Sequence, residues 1–246
     1  MYIGFEIITP TPDYPLGSSR SQLEGQLWNS QTKVAEAFKT GLKVSLRAAQ
    51  LGQCCFCRRQ LGDDYAVHFE HFIDKSSYPN YSYEIKNLAL SCGTCNINKN
   101  GHFSSIETKL RKRLTYVGPA MPIVPTIKNF LFPHAPFPVE RTAFRWVNPH
   151  FHEYSCHIEL ATAWVYRGKT PEGWRTIRGC KLNKVILIER RANQERLQRQ
   201  VQGLSHEITK IYSLSKDEAY QLLKNLAATI EQIRKNGLSY SDISKI

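Results

Sequence analysis

The residues able to do chemistry are concentrated between Cys54 and His102. Two Cys-x-x-Cys pairs, Cys54/Cys57 and Cys92/Cys95, bracket Glu70-His71. Asn87 precedes the second pair, and Asn96 and Lys99 follow it. A Cys-x-x-Cys knuckle turns two thiolates toward one tetrahedral ion, and two knuckles fill its four positions. This spacing points to structural zinc more than to four unrelated buried cysteines. Cys55 leaves the register open, since it could replace Cys54. A closed four-thiolate ion has no open position for catalysis. It stands in for hydrophobic core in a small module.

The residues between the knuckles suit phosphodiester hydrolysis, which needs an activated water, a neutralised phosphate and a stabilised leaving oxygen. A neutral His71 can take the proton from water near pH 7. The Glu70 carboxylate and the Asn96 amide oxygen suit a hard divalent ion, Mg2+ or Mn2+. Lys99, one helical turn past Asn96, can reach a phosphate oxygen. The bland alternative is a histidine that merely caps a strand.

Residues 67–72 alternate apolar and polar over most of their length, the pattern of a strand. Neighbours on a strand face opposite ways, so Glu70 and His71 share a site only near a strand end or bend. The loop-like Asp74-Lys75-Ser76-Ser77 allows one. Residues 87–90 read as a second strand and Cys95 onward as the start of a helix. The outcome is a ββα unit with zinc at its base.

At these residues the pattern CxxC…EH…N…CxxCNxxK resembles the HNH endonucleases of the zinc-binding ββα-metal class. The resemblance implies that His71 is the general base and that Glu70 and Asn96 are the metal-binding positions. It further implies that Asn87 braces the loop behind the base and that Lys99 approaches the phosphate. Glu70 stands where most relatives have Asp, and Asp74 where a proline is common, an extra contact to the metal or its surroundings. His102 falls where some relatives hold a further histidine, an optional ligand. Beyond the motif, Trp146-Val-Asn-Pro-His-Phe, Trp174-Arg-Thr-Ile-Arg, Cys180-Lys-Leu-Asn-Lys and Glu189-Arg-Arg are similar to the tails of HNH proteins from bacterial anti-phage defence loci. The PtuB type of Septu and retron-associated systems is the nearest group, with the ZorE type of Zorya systems as another. That likeness implies an ATPase partner subunit.

The remaining elements support this centre. Residues 1–28, rich in Pro, Gly, Ser and Tyr, form an extended lead with one strand over 2–9. Asn29 or Ser30 caps a helix whose buried stripe is Val34, Phe38, Leu42, Leu46 and Ala49, with Gly52 as its stop. After His102 a basic helical run, Lys109, Arg111, Lys112 and Arg113, offers phosphate contacts or a solvated face. A proline-rich but apolar segment follows, with a boundary in 115–140. Residues 144–147, 156–166 and 174–177 read as strands, with a turn at 168–173. Asn148, His150, His152, Cys156 and His157 match no standard zinc spacing and read as a histidine-rich strand edge.

Leu197, Val201, Leu204, Ile208 and Ile211 predict one C-terminal helix. The capping box Ser215–Glu218 starts another, striped by Leu222, Leu226, Ile230 and Ile233. These two form a hairpin that packs on the chain or docks a partner. The expected fold is α+β, divided at 1–53, 54–115, 116–180 and 181–246.

Composition agrees with a nucleic-acid partner. Lys and Arg outnumber Asp and Glu by 33 to 21, a net charge of +12, which favours a polyanion, nucleic acid being the commonest; DNA is expected before RNA, a choice the charge does not decide. With 41% hydrophobic residues the chain can bury a core. No apolar run reaches the 18 or so residues of a membrane span. The N-terminus has no signal-peptide pattern, so a cytoplasmic location is expected, where paired cysteines favour metal over disulfides. A non-catalytic zinc module binding nucleic acid or a partner subunit would explain the cysteines and the charge. So would an assembly subunit with a decayed nuclease site. Neither requires Glu70, His71 and Asn96 together.

Overall fold

The computed structural model describes residues 4–62, 67–113, 124–129, 131–132, 135–161, 165–189, 193 and 215–235, with the side chains of 104, 106–113, 219, 222, 226, 229, 230 and 232–234 outside that description. It is a mixed α+β chain that divides into two compact units, Met1–Arg191 and Ala192–Ile246.

Among residues 4–9 there is no strand, and the chain enters irregularly. A short helix, α1 (Arg20–Leu23), precedes α2 (Lys33–Ala49). The N-cap of α2 is Thr32, whose hydroxyl accepts from the Ala35 N–H, and not Asn29 or Ser30. The hydroxyls of Ser30 and Thr32 both donate to the Gln26 side chain, at 2.9 and 2.7 Å. Ala35, Phe38, Leu42 and Leu46 form the buried stripe of α2, with Val34 and Ala49 at its margins. Leu51 and Gly52, at φ of 51° and 68°, turn the chain out of the helix.

Strand β1 (Val67–His71) pairs antiparallel with β2 (Leu88–Cys92), His71 opposite Leu88 and Glu70 opposite Ala89. Helix α3 (Gly93–Arg113) starts as β2 ends and packs on both strands. The outer edge of β2 would leave backbone groups unpaired. The buried Gln50 closes it: its Oε1 accepts from Leu90 N–H at 2.7 Å and its Nε2 donates to Leu90 O at 2.9 Å. The C-terminal end of α2 is thereby fixed to the strand that carries Cys92.

The extension is less β-rich than expected. Around 144–147 there is one bridge, Ile127 to Phe144, after a 3-10 turn at Arg141–Ala143. Within 156–166, α4 (Tyr154–His157) takes up the first residues, and β3 (Ile158–Leu160) then pairs with β4 (Tyr166–Gly168). Residues 174–177 are helical, not extended: they belong to α5 (Pro171–Gly179). Thr170 caps α5 and Pro171 occupies its first turn, the position where a missing N–H costs nothing. A Cβ at Gly179 would sit 1.9 Å from the Trp146 ring, so α5 lies on that indole only because the residue is glycine.

The extension shares the core of the ββα unit. Phe72 meets Phe56 at 6.3 Å and Phe144 at 5.7 Å, and Phe56 meets Trp146 at 6.3 Å between ring centroids. Four side chains of the extension also satisfy backbone carbonyls of the module. Tyr154 donates to Phe56 O (2.7 Å), Tyr166 to Cys57 O (2.6 Å), Thr126 to Phe72 O (2.6 Å) and His150 Nε2 to Leu88 O (2.8 Å). A buried carbonyl without a partner costs about 1–3 kcal/mol, so these contacts make the extension a wall of the module rather than an appendage.

In the second unit, α6 (Lys216–Lys235) begins with the expected capping box: Ser215 Oγ accepts from Glu218 N–H, and the Glu218 carboxylate accepts from Ser215 N–H at 2.8 Å. The expected partner helix lies outside the described residues; Leu222, Leu226, Ile230 and Ile233 fall within α6, with their side chains outside the description. No helix among the described residues is long and apolar enough to cross a membrane.

Candidate functional site

The cysteine register resolves to Cys54, Cys57, Cys92 and Cys95. Their four sulfurs lie within 4.8 Å of one another, all buried. Cys57 and Cys92 are 3.8 Å apart. A tetrahedral ion with Zn–S bonds of about 2.3 Å sets its sulfurs about 3.8 Å apart, so the site fits zinc. Cys55 is buried beside the cluster but is not part of it.

The first knuckle closes by Arg58 N–H donating to Cys54 O at 3.0 Å. Arg58 itself takes a left-handed φ of 57°. Its guanidinium is held 3.5 Å from the Phe5 ring and 4.1 Å from the Tyr154 ring, packing that keeps a non-glycine residue in that turn. Without a counter-ion the thiols diverge. Burial raises the Cys54 thiol, but hydrogen bonds from Cys55, Cys57, Cys92 and Cys95 outweigh it and drive Cys54 well below 9.0. The hydrogen bond with Cys54, then that with Cys92, pushes Cys57 well above it.

Strand β1 divides its side chains between two faces. Phe69 and His71 both meet the Trp28 indole, at 5.3 and 4.4 Å between centroids. Glu70, between them in sequence, is directed to the other face, where Lys99 of α3 meets it. His71 ends the strand. Its Nε2 lies 3.1 Å from the Ser82 carbonyl. A carbonyl only accepts, so this nitrogen carries the proton, and in the neutral ring Nδ1 is the bare base. Burial drives the His71 pKa from 6.5 down to about 3, with help from the Lys75 charge and against the Ser82 hydrogen bond.

The loop after His71 is tied to Asn87. The Asn87 Oδ1 accepts from Ile73 N–H at 2.7 Å, and its Nδ2 donates to Ile73 O and Tyr81 O at 3.0 Å each. One amide thus fixes both ends of the loop that presents Ser82. Asp74 is engaged locally: its carboxylate accepts from the hydroxyls of Ser76 and Ser77 and from Ser77 N–H, closing a turn.

Glu70 and Lys99 are almost fully buried, with side-chain exposures of 1% and 3%. The Lys99 ammonium donates to Glu70 Oε1 and, at 2.6 Å, to His71 O. It also lies 4.9 Å from the Phe103 ring. Burial pushes Lys99 from 10.5 down to about 7, opposed by the nearby Cys180 and Cys55. The Glu70 carboxylate against it favours the charged form. Glu70 Oε2 is buried with no hydrogen-bond partner.

Asn96 is half-buried, and among the described residues its side chain makes no hydrogen bond to Glu70 or His71. His102 lies against Trp146, 5.8 Å between rings, outside the thiol cluster. Arg111, Lys112 and Arg113 lie in the last turn of α3, their side chains outside the description. The histidine-rich stretch forms no metal cluster among the described residues. His152 accepts from Asn148 N–H, and its ring packs edge-on to His157 at 4.7 Å.

Three contributors to this geometry were not legible in the sequence. Trp28, from an irregular lead, covers the His71 ring. Ser82 acts through its backbone, which has no sequence signature. His150 holds Leu88, the register partner of His71, from sixty-two residues away.

No family model matches the chain. Over 98 residues it is 29% identical to the Septu protein PtuB of Bacillus thuringiensis, a stretch covering 36% of this chain and 38% of that protein. The chain thus matches well under half the length of that relative.

Proposed function

We propose that this chain is a divalent-metal-dependent HNH endonuclease that hydrolyses nucleic-acid phosphodiester bonds, DNA more than RNA, as an effector of bacterial anti-phage defence. The observation that carries the reading is the tautomer of His71. Its Nε2–H is committed to the Ser82 carbonyl, which leaves Nδ1 to accept a proton from water. The Asn87 brace holds that carbonyl in place through Tyr81 and Ile73. Glu70 Oε2, a buried acceptor without a partner, is what a hard cation would satisfy, and Asn96 at the start of α3 would add an amide oxygen. Such an ion, when bound, polarises the phosphate and stabilises the leaving oxygen. The basic end of α3 and the net charge of +12 support a polyanionic substrate.

The defence role rests on the likeness to the Septu protein. The ATPase partner rests on the resemblance of the tail motifs. The four-thiol site would hold the structural zinc on which β2 and α3 depend.

The test is nicking of plasmid DNA, and of RNA, in Mg2+ or Mn2+, by the chain with and without its genomic neighbours. We expect His71→Ala to lose about a hundredfold or more of the rate. Equal cutting by both forms would remove His71 from the role, and inertness on every substrate would remove the activity. One observation favours the second reading, a non-catalytic zinc module: Glu70 is already paired with Lys99, and among the described residues no hydrogen bond joins Asn96 to Glu70 or His71.

A further inference from the structure

The Lys99–Glu70 contact is at odds with a lysine that reaches for phosphate. Lys99 is 3% exposed, and its ammonium is directed inward at Glu70 Oε1 and the His71 carbonyl. A phosphate-binding lysine keeps its ammonium in solvent until substrate arrives; this one has two of its three N–H donors directed at groups of the protein. The ammonium also lies 4.9 Å from the centre of the Phe103 ring. The carboxylate is half-used. One oxygen meets Lys99, and the other, Oε2, is buried and bare. Asn96 brings no charge. The local sum of carboxylate and ammonium is near zero.

We infer that Lys99 is the internal counter-ion of Glu70 and sets its affinity for a divalent cation. It holds one carboxylate oxygen and cancels the charge, so an entering ion finds a single oxygen and little net attraction. The inference rests on the metal-dependent reading of the site. It reassigns Lys99 from substrate contact to positioning residue. It makes the site weakly metal-binding by construction, so that occupancy follows the supply of ion and of phosphate oxygens from the substrate.

The test compares Lys99→Met, which keeps the stem and removes the charge, with the wild-type full-length zinc-loaded chain. Mn2+ binding is read by electron paramagnetic resonance, together with the rise in melting temperature on adding Mn2+. Loss of a unit charge in contact with the ligand should tighten Mn2+ binding about tenfold or more. Lys99→Met should gain more thermal stability from Mn2+ than wild type does, and Glu70→Gln in the same chain should abolish both gains.

Mn2+ binding that is unchanged or weaker in Lys99→Met overturns the inference. So does unchanged Mn2+ binding with weaker DNA binding and a shallower salt dependence, the signature of a phosphate contact. If Lys99→Met does not fold, the double variant Lys99→Met/Glu70→Gln decides. Recovery of the fold supports the pairing, because both buried charges are then gone; failure of both variants overturns it. A wild type that nicks DNA with Mn2+ while Lys99→Met binds the ion no tighter rejects the counter-ion alone. Wild type and Lys99→Met that both bind no Mn2+ and cut nothing reject the nuclease reading with it.

Discussion

Two buried ionisable sites share helix α3, and they solve the problem of charge in different ways. At the N-terminal end of α3, four thiols crowd within 4.8 Å of one another. One turn beyond Cys95, a carboxylate and an ammonium meet in contact. The first is a set of like charges that ionises together only around an external cation. The second carries its cation in the sequence. The four buried thiols could therefore hold a structural zinc, and such an ion would contribute to folding itself. The carboxylate site is already close to neutral, and any further ion adds to a folded protein.

The largest expected effect lies on the thiol side. Removing zinc with a chelator, or changing Cys95 to Ser, should abolish cooperative unfolding of the first unit, a loss on the order of 10 kcal/mol of metal-linked folding energy. Elemental analysis should find one zinc per wild-type chain. A metal-free chain that keeps its near-ultraviolet circular dichroism would break the contrast, since the cluster would then fold unaided.

Next comes Glu70→Ala, which leaves the Lys99 ammonium buried without its partner. A loss of about 3–5 kcal/mol in urea unfolding is expected. A much smaller loss in the charge-free double variant Lys99→Met/Glu70→Gln would sharpen the point that pairing, not burial, is what the site requires.

A third effect is pH-dependent and runs through the histidine wall. Burial lowers the His150 pKa from 6.5 to about 4, with Lys86 adding to it and the Leu88 hydrogen bond opposing it. The unfolded chain therefore takes up this proton first as pH falls. Stability is complete above pH 6.5 and declines between 6.5 and about 4, with His150 contributing up to about 3 kcal/mol. His150→Gln should flatten that part of the acid-unfolding curve, leaving the parts due to His71 and His152, whose pKa values are also lowered. An unchanged slope would show that the extension opens before His150 protonates.

The smallest effect tests how far the extension supports the thiols. Tyr166→Phe leaves the Cys57 carbonyl unsatisfied and should cost about 1 kcal/mol in urea, with faster zinc loss to a chelator. Faster zinc loss without a stability change would confine the role of Tyr166 to the knuckle.

The legible parts of this molecule are those whose partners are near in sequence. Cys54/Cys57 and Cys92/Cys95 declare themselves because a knuckle needs ligands three residues apart. Alternation over 67–72 located β1, and spacing of three and four located α2. The helix at α5 was misread as a strand because Trp174 to Ile177 is too short to show a period. Thr170-Pro171 was the better signal, a cap followed by proline in the first turn. In α2, the start slipped to Thr32 because Asn29, Ser30 and Thr32 could all cap and the backbone places only the Thr32 oxygen where the Ala35 N–H can reach it.

From the sequence alone came the α+β class, the four thiols, and the expectation that Glu70, His71, Asn87 and Asn96 serve one chemistry. Each depends on local periodicity or on ligands joined by a short turn. Only the tertiary structure decided that Lys99 turns inward to Glu70, that Trp28 covers His71, that Ser82 selects its tautomer, and that His150 secures the strand opposite. Those outcomes depend on which buried groups meet across dozens of residues, and a buried polar group takes whatever partner the packing brings within about 3 Å.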